Sequence, residues 1–308
     1  MVNSLGEVFI LKTSDRPTGI PAILKKLGLD DYSEKKVSLK ANYNSADPFP
    51  ASTHIDTLRV LVETLRDKGA SNIALAERRG MGDTRKVLEE MGVLALAKEL
   101  GFNAVVLDEV GKEDWLKFGR SETHWLRGFY MAKVFHDADK NVQTCCLKTH
   151  RFGGHFTLSL KNSVGLVAKK VPGRIYDYMW ELHSSPYQRL MIAEINNNYN
   201  LDFVLMDGIK AFITGGPEKG KLVEPNLLLA SRDRVALDAV GVAILKLYGT
   251  KGKVGEADVF EQDQLKRAAE LGFGAKSVDD VRLMSLNDES RVEAVRIEQV
   301  LKAKVVTP

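Results

Sequence analysis

From residue 36 onward the chain alternates short β-rich runs with helical periods, and the connections between them are short. KKVSLK reads as a strand. The loop NYNSADPFPAST leads into HIDTLRVLVETLRDKG, where Leu58, Leu61, Val62 and Leu65 form one apolar stripe and Gly69 ends the helix. SNIALAE is the next strand, Asp83 can cap a helix over TRKVLEEMGVLALAKELG, and FNAVVLDEV is a third strand. Strands joined through helices pair in parallel with right-handed crossovers. The pattern therefore predicts an α/β fold, a mainly parallel sheet flanked by helices.

A second passage of the same kind begins near residue 140. NVQTCCL reads as a strand, QRLMIAEINNNYN as a helix, and LDFVLMDGI and VEPNLLLAS as strands. DRVALDAVGVAILKLYG is the clearest helix, with Asp233 as cap and Ala236, Val240, Ala243, Ile244 and Leu247 on one face. The expectation is two βαβ-type halves with the site between them: a unit over 36–285, divisible into lobes at about 1–125 and 126–308, with 286–308 a peripheral helical tail. Residues 111–139 are mixed and aromatic and offer no clear linker, and no internal repeat is present.

Composition narrows the partners. Lysine plus arginine exceed aspartate plus glutamate by only 44 to 41, a net charge of +3, which argues against nucleic-acid or membrane binding through overall electrostatics. An anion-binding surface has to be local. Cys145 and Cys146 are the only cysteines and are adjacent, a poor geometry for a structural disulfide and too few ligands for an iron–sulfur cluster or an all-cysteine zinc site. With no signal-like start and no apolar run approaching the roughly 20 residues of a membrane span, the chain is expected to be cytoplasmic. An oligomer is open.

In open α/β sheets ligands gather beyond the carboxyl ends of the strands. There the sequence offers Lys40, Asn42 and Asn44, then Glu77 with Arg78 and Arg79, then Asp108 and Glu109, then Lys148 and His150, and Asp207. His54 opens a helix after Ser52 and Thr53, with Asp56 in capping-box position after Thr53. It is either an ordinary solvent-facing neighbour of the cap or an imidazole that exchanges protons with an anion at the helix start.

The strongest local asymmetry is KTHRFGGHFTLSLKNSVG, residues 148–165. Between Lys140 and Tyr176 no acid occurs in 37 positions, while Lys140, Lys148, Arg151, Lys161, Lys169, Lys170 and Arg174 supply seven positive charges. A solvated basic face does not call for Gly153 and Gly154 followed by His155 and the Lys161, Asn162 pair. The glycines let backbone approach a ligand, and the lysines are point charges for carboxylate or phosphate. Lys148, Lys161 and Arg151 would hold the anion and His150 would move a proton; His155 has no assigned role. In TGGPEKGK, Gly215 to Lys221 matches a phosphate-loop spacing, but Leu222 stands where a hydroxyl is needed and a β-rich run follows. A tight hairpin that brings Gly215, Gly216 and Asp207 to the site rim is expected instead. Asp238 inside its apolar helix either pairs with Arg234 one turn earlier or orients a site lysine or histidine. A divalent metal on His150, His155 and Asp207 is conceivable, without support from an HExxH or CxxC spacing.

Together KANYNSADPFPASTH, AERRGMGDT, LKTHRFGGHFTLSLKNSVG, MDGIKAFITGGPEKGK and LLLASRDRVALDAVG resemble successive blocks of the bacterial and archaeal family catalogued as domain of unknown function 362, over most of residues 36–285. Members with ferredoxin-like cysteine clusters exist; this chain lacks the cysteines, so no iron–sulfur cluster is expected. STH at His54 and HRFGGHFTLSLK also resemble the nickel-pincer lactate racemase group. That resemblance implies His54 and His150 as acid and base partners and Lys161 where the group tethers its cofactor. Leu160 stands where the racemase pattern has arginine, and His155 is an addition.

Two functions compete at this point. One is an enzyme, isomerase- or racemase-like or of oxidoreductase type, that works on a small carboxylate or phosphate by histidine and lysine proton transfer. The other is a non-catalytic metal- or cofactor-binding or redox accessory protein using the same pocket.

Overall fold

A computed structural model describes residues 6–29, 31–80, 82–119, 121–153 and 155–305. In chain order the elements are β1 (Gly6–Lys12), α1 (Arg16–Leu27), β2 (Lys36–Lys40), α2 (Ile55–Asp67), β3 (Asn72–Glu77), α3 (Thr84–Glu90), α4 (Val93–Leu100) and β4 (Asn103–Val106). Then come β5 (Trp115–Phe118), β6 (Phe129–Ala132), α5 (Lys133–His136), β7 (Lys140–His150), β8 (His155–Thr157), α6 (Ser159–Asn162), α7 (Tyr178–Ser184) and α8 (Gln188–Asn196). The chain continues through β9 (Phe203–Gly215), β10 (Gly220–Val223), β11 (Leu227–Ser231), α9 (Arg234–Leu247), α10 (Gly252–Glu256), α11 (Asp263–Leu271), β12 (Val281–Ser285) and α12 (Asp288–Lys302).

The described strands form one mixed, mostly parallel 10-stranded sheet in the order β12-β1-β11-β9-β7-β2-β3-β4, with β8 added to β7 and β10 to β9. β2, β3 and β4 run parallel through crossovers by α2 and the α3–α4 pair, and β7 lies parallel to β2 on its other side. The order in which strands are added thus switches sides at β2, and at such a switch point an open α/β sheet leaves a crevice beyond its strand ends.

Burial explains the arrangement. β7 is buried almost end to end because it has neighbours on both edges and helices on both faces. In β9, Phe203 and Leu205 join the apolar layer shared with α1 and α2, while Val204 and Met206 join the layer built on α9. α9 is apolar nearly all round because it sits between the sheet and the α12 and α11 helices. Among the described residues no helix is long and apolar enough to cross a membrane.

The α/β reading of the sequence agrees with this sheet, but several elements differ. TRKVLEEMGVLALAKELG is two helices, not one: Gly92 takes a left-handed backbone (φ 73°) between α3 and α4, which breaks the run. Ahead of the passages read as strands in the sequence, β1 is an interior strand between β11 and β12. A lobe boundary near 125 cuts between β5 and β6, which pair with each other, and the strands on either side of that boundary belong to one sheet. The tail beyond 286 is α12, which packs on α9, β1 and β12 and buries Ala294, Ile297 and Leu301.

Candidate functional site

Beyond the carboxyl ends of β2, β3 and β7 lies a cavity of about 1110 Å³. Each strand delivers the side chain that follows from its pleat: Lys40 from β2, Glu77 from β3, and Lys148 and His150 from β7. Lys161 and Asn162 come from α6, the short helix that follows the β7–β8 hairpin. Asn42, Asn44 and Gly153 complete the part of the lining that the sequence pointed to.

The three lysines are held differently. The Lys40 ammonium donates to Glu77 Oε2 at 2.8 Å, to Asn162 Oδ1 at 3.3 Å and to the Ala41 carbonyl. Its stem passes so close to Gly165 that a Cβ there would lie 2.6 Å from Lys40 Cε, so any side chain at this turn would displace the end of Lys40. The Lys148 ammonium donates to the Ala51 carbonyl and reaches Asn42 Oδ1 at 3.5 Å. Lys161 keeps part of its surface open to the cavity, and among the described residues its ammonium has no hydrogen bond or ion pair. Burial, with Lys148 and Arg78 as further like charges, pulls the Lys161 pKa down to about 8. Burial also lowers Lys148 and Lys40, the latter against the opposing pull of Glu77, and it raises the Glu77 carboxyl.

Anionic charge is scarce by comparison. Of the acidic residues in the lining, only Glu77 is buried; Asp177 is spent capping α7, and Glu218 pairs with Arg151. Glu77 Oε1, Tyr43 Oη and Thr157 Oγ1 belong to lining residues and are buried without a partner. Such atoms are rare in folded proteins because each forfeits its hydration, and they mark places where a ligand can complete the bonding.

The two histidines of the lining have opposite tautomers. His150 Nδ1 accepts from the Phe152 amide at 3.2 Å, so in the neutral ring the proton sits on Nε2. His183 Nδ1 lies 2.6 Å from the Met179 carbonyl and must be the protonated nitrogen, which leaves Nε2 as an acceptor. Burial, followed by the Lys161 charge, drives the His150 pKa far below the usual imidazole range. Burial also lowers His183, and Lys161 is again the strongest of the charges acting on it.

Several residues singled out in the sequence lie elsewhere. His54 does not line the cavity. It is itself the N-cap of α2, its Nδ1 accepting from the Asp56 amide at 3.2 Å, with its ring edge-on to Phe49 at 5.9 Å. Ser52 and Thr53 do not cap that helix because Thr53 is used by the β2 loop, where its hydroxyl accepts from the Asn42 amide. Asp207 points to α1 and α2, accepting from Arg16 Nε at 2.7 Å and Thr57 Oγ1 at 2.6 Å. Gly215 and Gly216 form the turn of the β9–β10 hairpin, as expected of TGGPEKGK, but its neighbours Pro217 and Glu218 are the ones that touch the cavity. Gly216 has no room for a Cβ, which would meet the Thr149 carbonyl at 2.0 Å.

Arg151 is exposed and committed to Glu218. His155 is half-buried in a left-handed conformation (φ 56°) outside the lining, its pKa lowered to about 4, chiefly by burial. Gly154 lies outside the described residues. His150, His155 and Asp207 therefore do not form a metal cluster, and no group of three or more His, Cys, Asp or Glu suited to a metal occurs among the described residues. Both cysteines are buried, and burial pushes the Cys146 thiol up to about 11, away from reactive thiolate.

Asp238 does not pair with Arg234. Arg234 is occupied by Asn196 Oδ1 at 2.8 Å and the Tyr199 carbonyl. The Asp238 carboxylate instead accepts from the Ser159 and Leu160 amides at 2.8 and 2.9 Å. From α9 it thus fixes the turn that carries Lys161.

His183 is the site residue that sequence reasoning missed. It lies on α7, after a long loop rather than at a strand end, and the histidine itself was the only signal. Arg78, noted after its strand, is structural: its guanidinium holds the carbonyls of Val167, Arg79 and Val164.

The family model described as "Domain of unknown function (DUF362)" matches residues 37–243. None of the curated proteins matches. Among solved structures the chain is similar to the lactate racemase apoprotein from Thermoanaerobacterium thermosaccharolyticum, with 17% identity, a TM-score of 0.48 and 76% of this chain covered. The chain spans 56% of the length of that protein.

Proposed function

The chain belongs to the DUF362 family, a membership that leaves the activity to be read from the site, and on that premise we propose an enzyme that acts on a small carboxylate- or phosphate-bearing substrate by proton transfer. The observation that carries this reading is the convergence of Lys40, Lys148 and Lys161 on one cavity of about 1110 Å³ in which Glu77 is the one buried carboxylate of the described lining. An anion supplies the charge these ammoniums lack and regains for them what desolvation costs. Lys148 and Lys161 hold it, His150 presents an N–H, and His183 presents a lone pair.

The racemase resemblance implies His54 and His150 as acid and base partners; His54 caps α2 and does not line the cavity that holds His150.

Thermal-shift and calorimetric titration with inorganic phosphate and small dicarboxylates test the reading. A saturable stabilisation is expected. Loss of one charge-assisted contact is worth about 1.5–3 kcal/mol, so Lys148→Met or Lys161→Met should weaken binding by roughly 10- to 100-fold. Lys161 binds an anion as ammonium, so affinity should fall as pH rises through about 8, an inflection the Lys161→Met protein lacks. Anion binding that neither substitution weakens would remove the proposal. Native mass spectrometry and elemental analysis address the accessory-protein alternative, which requires a stoichiometric co-purifying group.

A further inference from the structure

Five lysines line the cavity, Lys253 exposed and Lys169 half-buried; of Lys40, Lys148 and Lys161, the three that the strand ends and α6 deliver, Lys161 alone has its nitrogen free among the described residues. Lys40 is bound to Glu77, Asn162 and a carbonyl, and Lys148 to a carbonyl and Asn42, whereas the Lys161 nitrogen faces the cavity without a protein partner among the described residues. Its backbone is fixed from α9 by the Asp238 bonds to Ser159 and Leu160. The same cavity holds His150, with its proton on Nε2, and His183, with its lone pair on Nε2. A positioned amine, a proton donor and a proton acceptor are what addition of an amine to a carbonyl requires.

We propose that Lys161 is a nucleophile that forms an imine with the carbonyl group of an anionic substrate, an oxo acid or a phosphorylated aldehyde or ketone. This rests on the anion-binding reading above and names its substrate class. The neutral amine attacks the carbonyl carbon while the C–O π electrons move to oxygen, to which His150 Nε2–H donates a hydrogen bond. The attacking nitrogen gives a proton to His183 Nε2 and the oxygen takes one from solvent, leaving a neutral carbinolamine. The protonated His183 returns its proton to the hydroxyl, which leaves as water as the nitrogen lone pair forms the C=N bond. The sum is amine plus carbonyl plus one proton giving iminium plus water, with no oxidant or reductant. Lys148 holds the anionic end. About a tenth of Lys161 is unprotonated at pH 7, given its pKa of about 8.

Full-length protein is treated with pyruvate and sodium cyanoborohydride, and adducts are located by intact-mass and peptide mass spectrometry. The expected result is a single reduced adduct on Lys161, formed at least about tenfold faster at pH 7 than on any other lysine. Inorganic phosphate should suppress it. Acetaldehyde, a carbonyl without the anion, should label Lys161 no better than surface lysines. Lys161→Arg keeps a cation and should lose the adduct; its melting temperature and its stabilisation by phosphate check that fold and pocket survive, with Lys161→Met as a second variant. Phosphate stabilisation in wild type without a Lys161 adduct, or an adduct equally fast with acetaldehyde, overturns the imine proposal and leaves the anion site standing. Absence of phosphate stabilisation in wild type counts instead against the anion site itself.

Discussion

Lys40 and Glu77 form an ion pair with both side chains almost wholly buried and 2.8 Å between charged atoms. Removing one partner leaves the other charged and desolvated, a loss of about 3–5 kcal/mol in comparable sites. Lys40→Met is therefore expected to cost about 3 kcal/mol in urea unfolding, and the double variant Lys40→Met/Glu77→Leu to recover much of that loss. Simple additivity of the two single substitutions would mean the pair is not coupled. At this scale the sequence was informative where a strand end decides a side chain's surroundings, as for Lys40, Lys148 and His150. It was uninformative where a loop decides them: nothing in STH reveals that His54 turns toward Asp56 and Phe49, and nothing near WELHS reveals that His183 faces the lysines.

Asp238 joins two elements, with its accepting carboxylate on α9 and the amides that donate to it at the start of α6. Burial raises its pKa from 3.8 to about 7, so the folded protein binds this proton over a range where the unfolded chain has released it. The resulting stabilisation is complete below the unfolded value and is lost as pH rises through about 7. Asp238→Asn does not titrate. Lowering the pH from 8 to 5 should then stabilise wild type relative to Asp238→Asn by on the order of 2–3 kcal/mol, read as the difference between their urea midpoints. Asp238→Ala should also weaken phosphate binding although Lys161 is intact, because the amides of its turn lose their acceptor. Elements themselves were legible wherever a polar face alternates with an apolar one, as in α2. They were misjudged where one residue overrides the pattern: Gly92 divides an otherwise continuous helical period.

In the whole molecule, β1 occupies an interior position, with Val8 opposite Ser231 on one side and Leu283 on the other. Both partners lie more than 200 residues away in sequence, so nothing near GEVFILK marks it as a strand of the sheet, whereas the local β2–β3–β4 crossovers were readable. A chain beginning at Lys36 loses β1 and α1 and exposes the edge of β11. Such an open apolar edge invites strand pairing between molecules. The shortened protein should yield little soluble monomer on size-exclusion chromatography, although it retains every residue matched by the family model. Recovery of a folded monomer would show that β1 is dispensable.

The position of β1 also sets a timetable. At roughly 5–20 residues per second, a ribosome that has just made GEVFILK needs on the order of tens of seconds to deliver the segments that flank it in the finished sheet. During that interval the strands that flank β1 in the finished sheet do not yet exist, whereas the cavity draws on β2, β3 and β7, all made before β11 and β12.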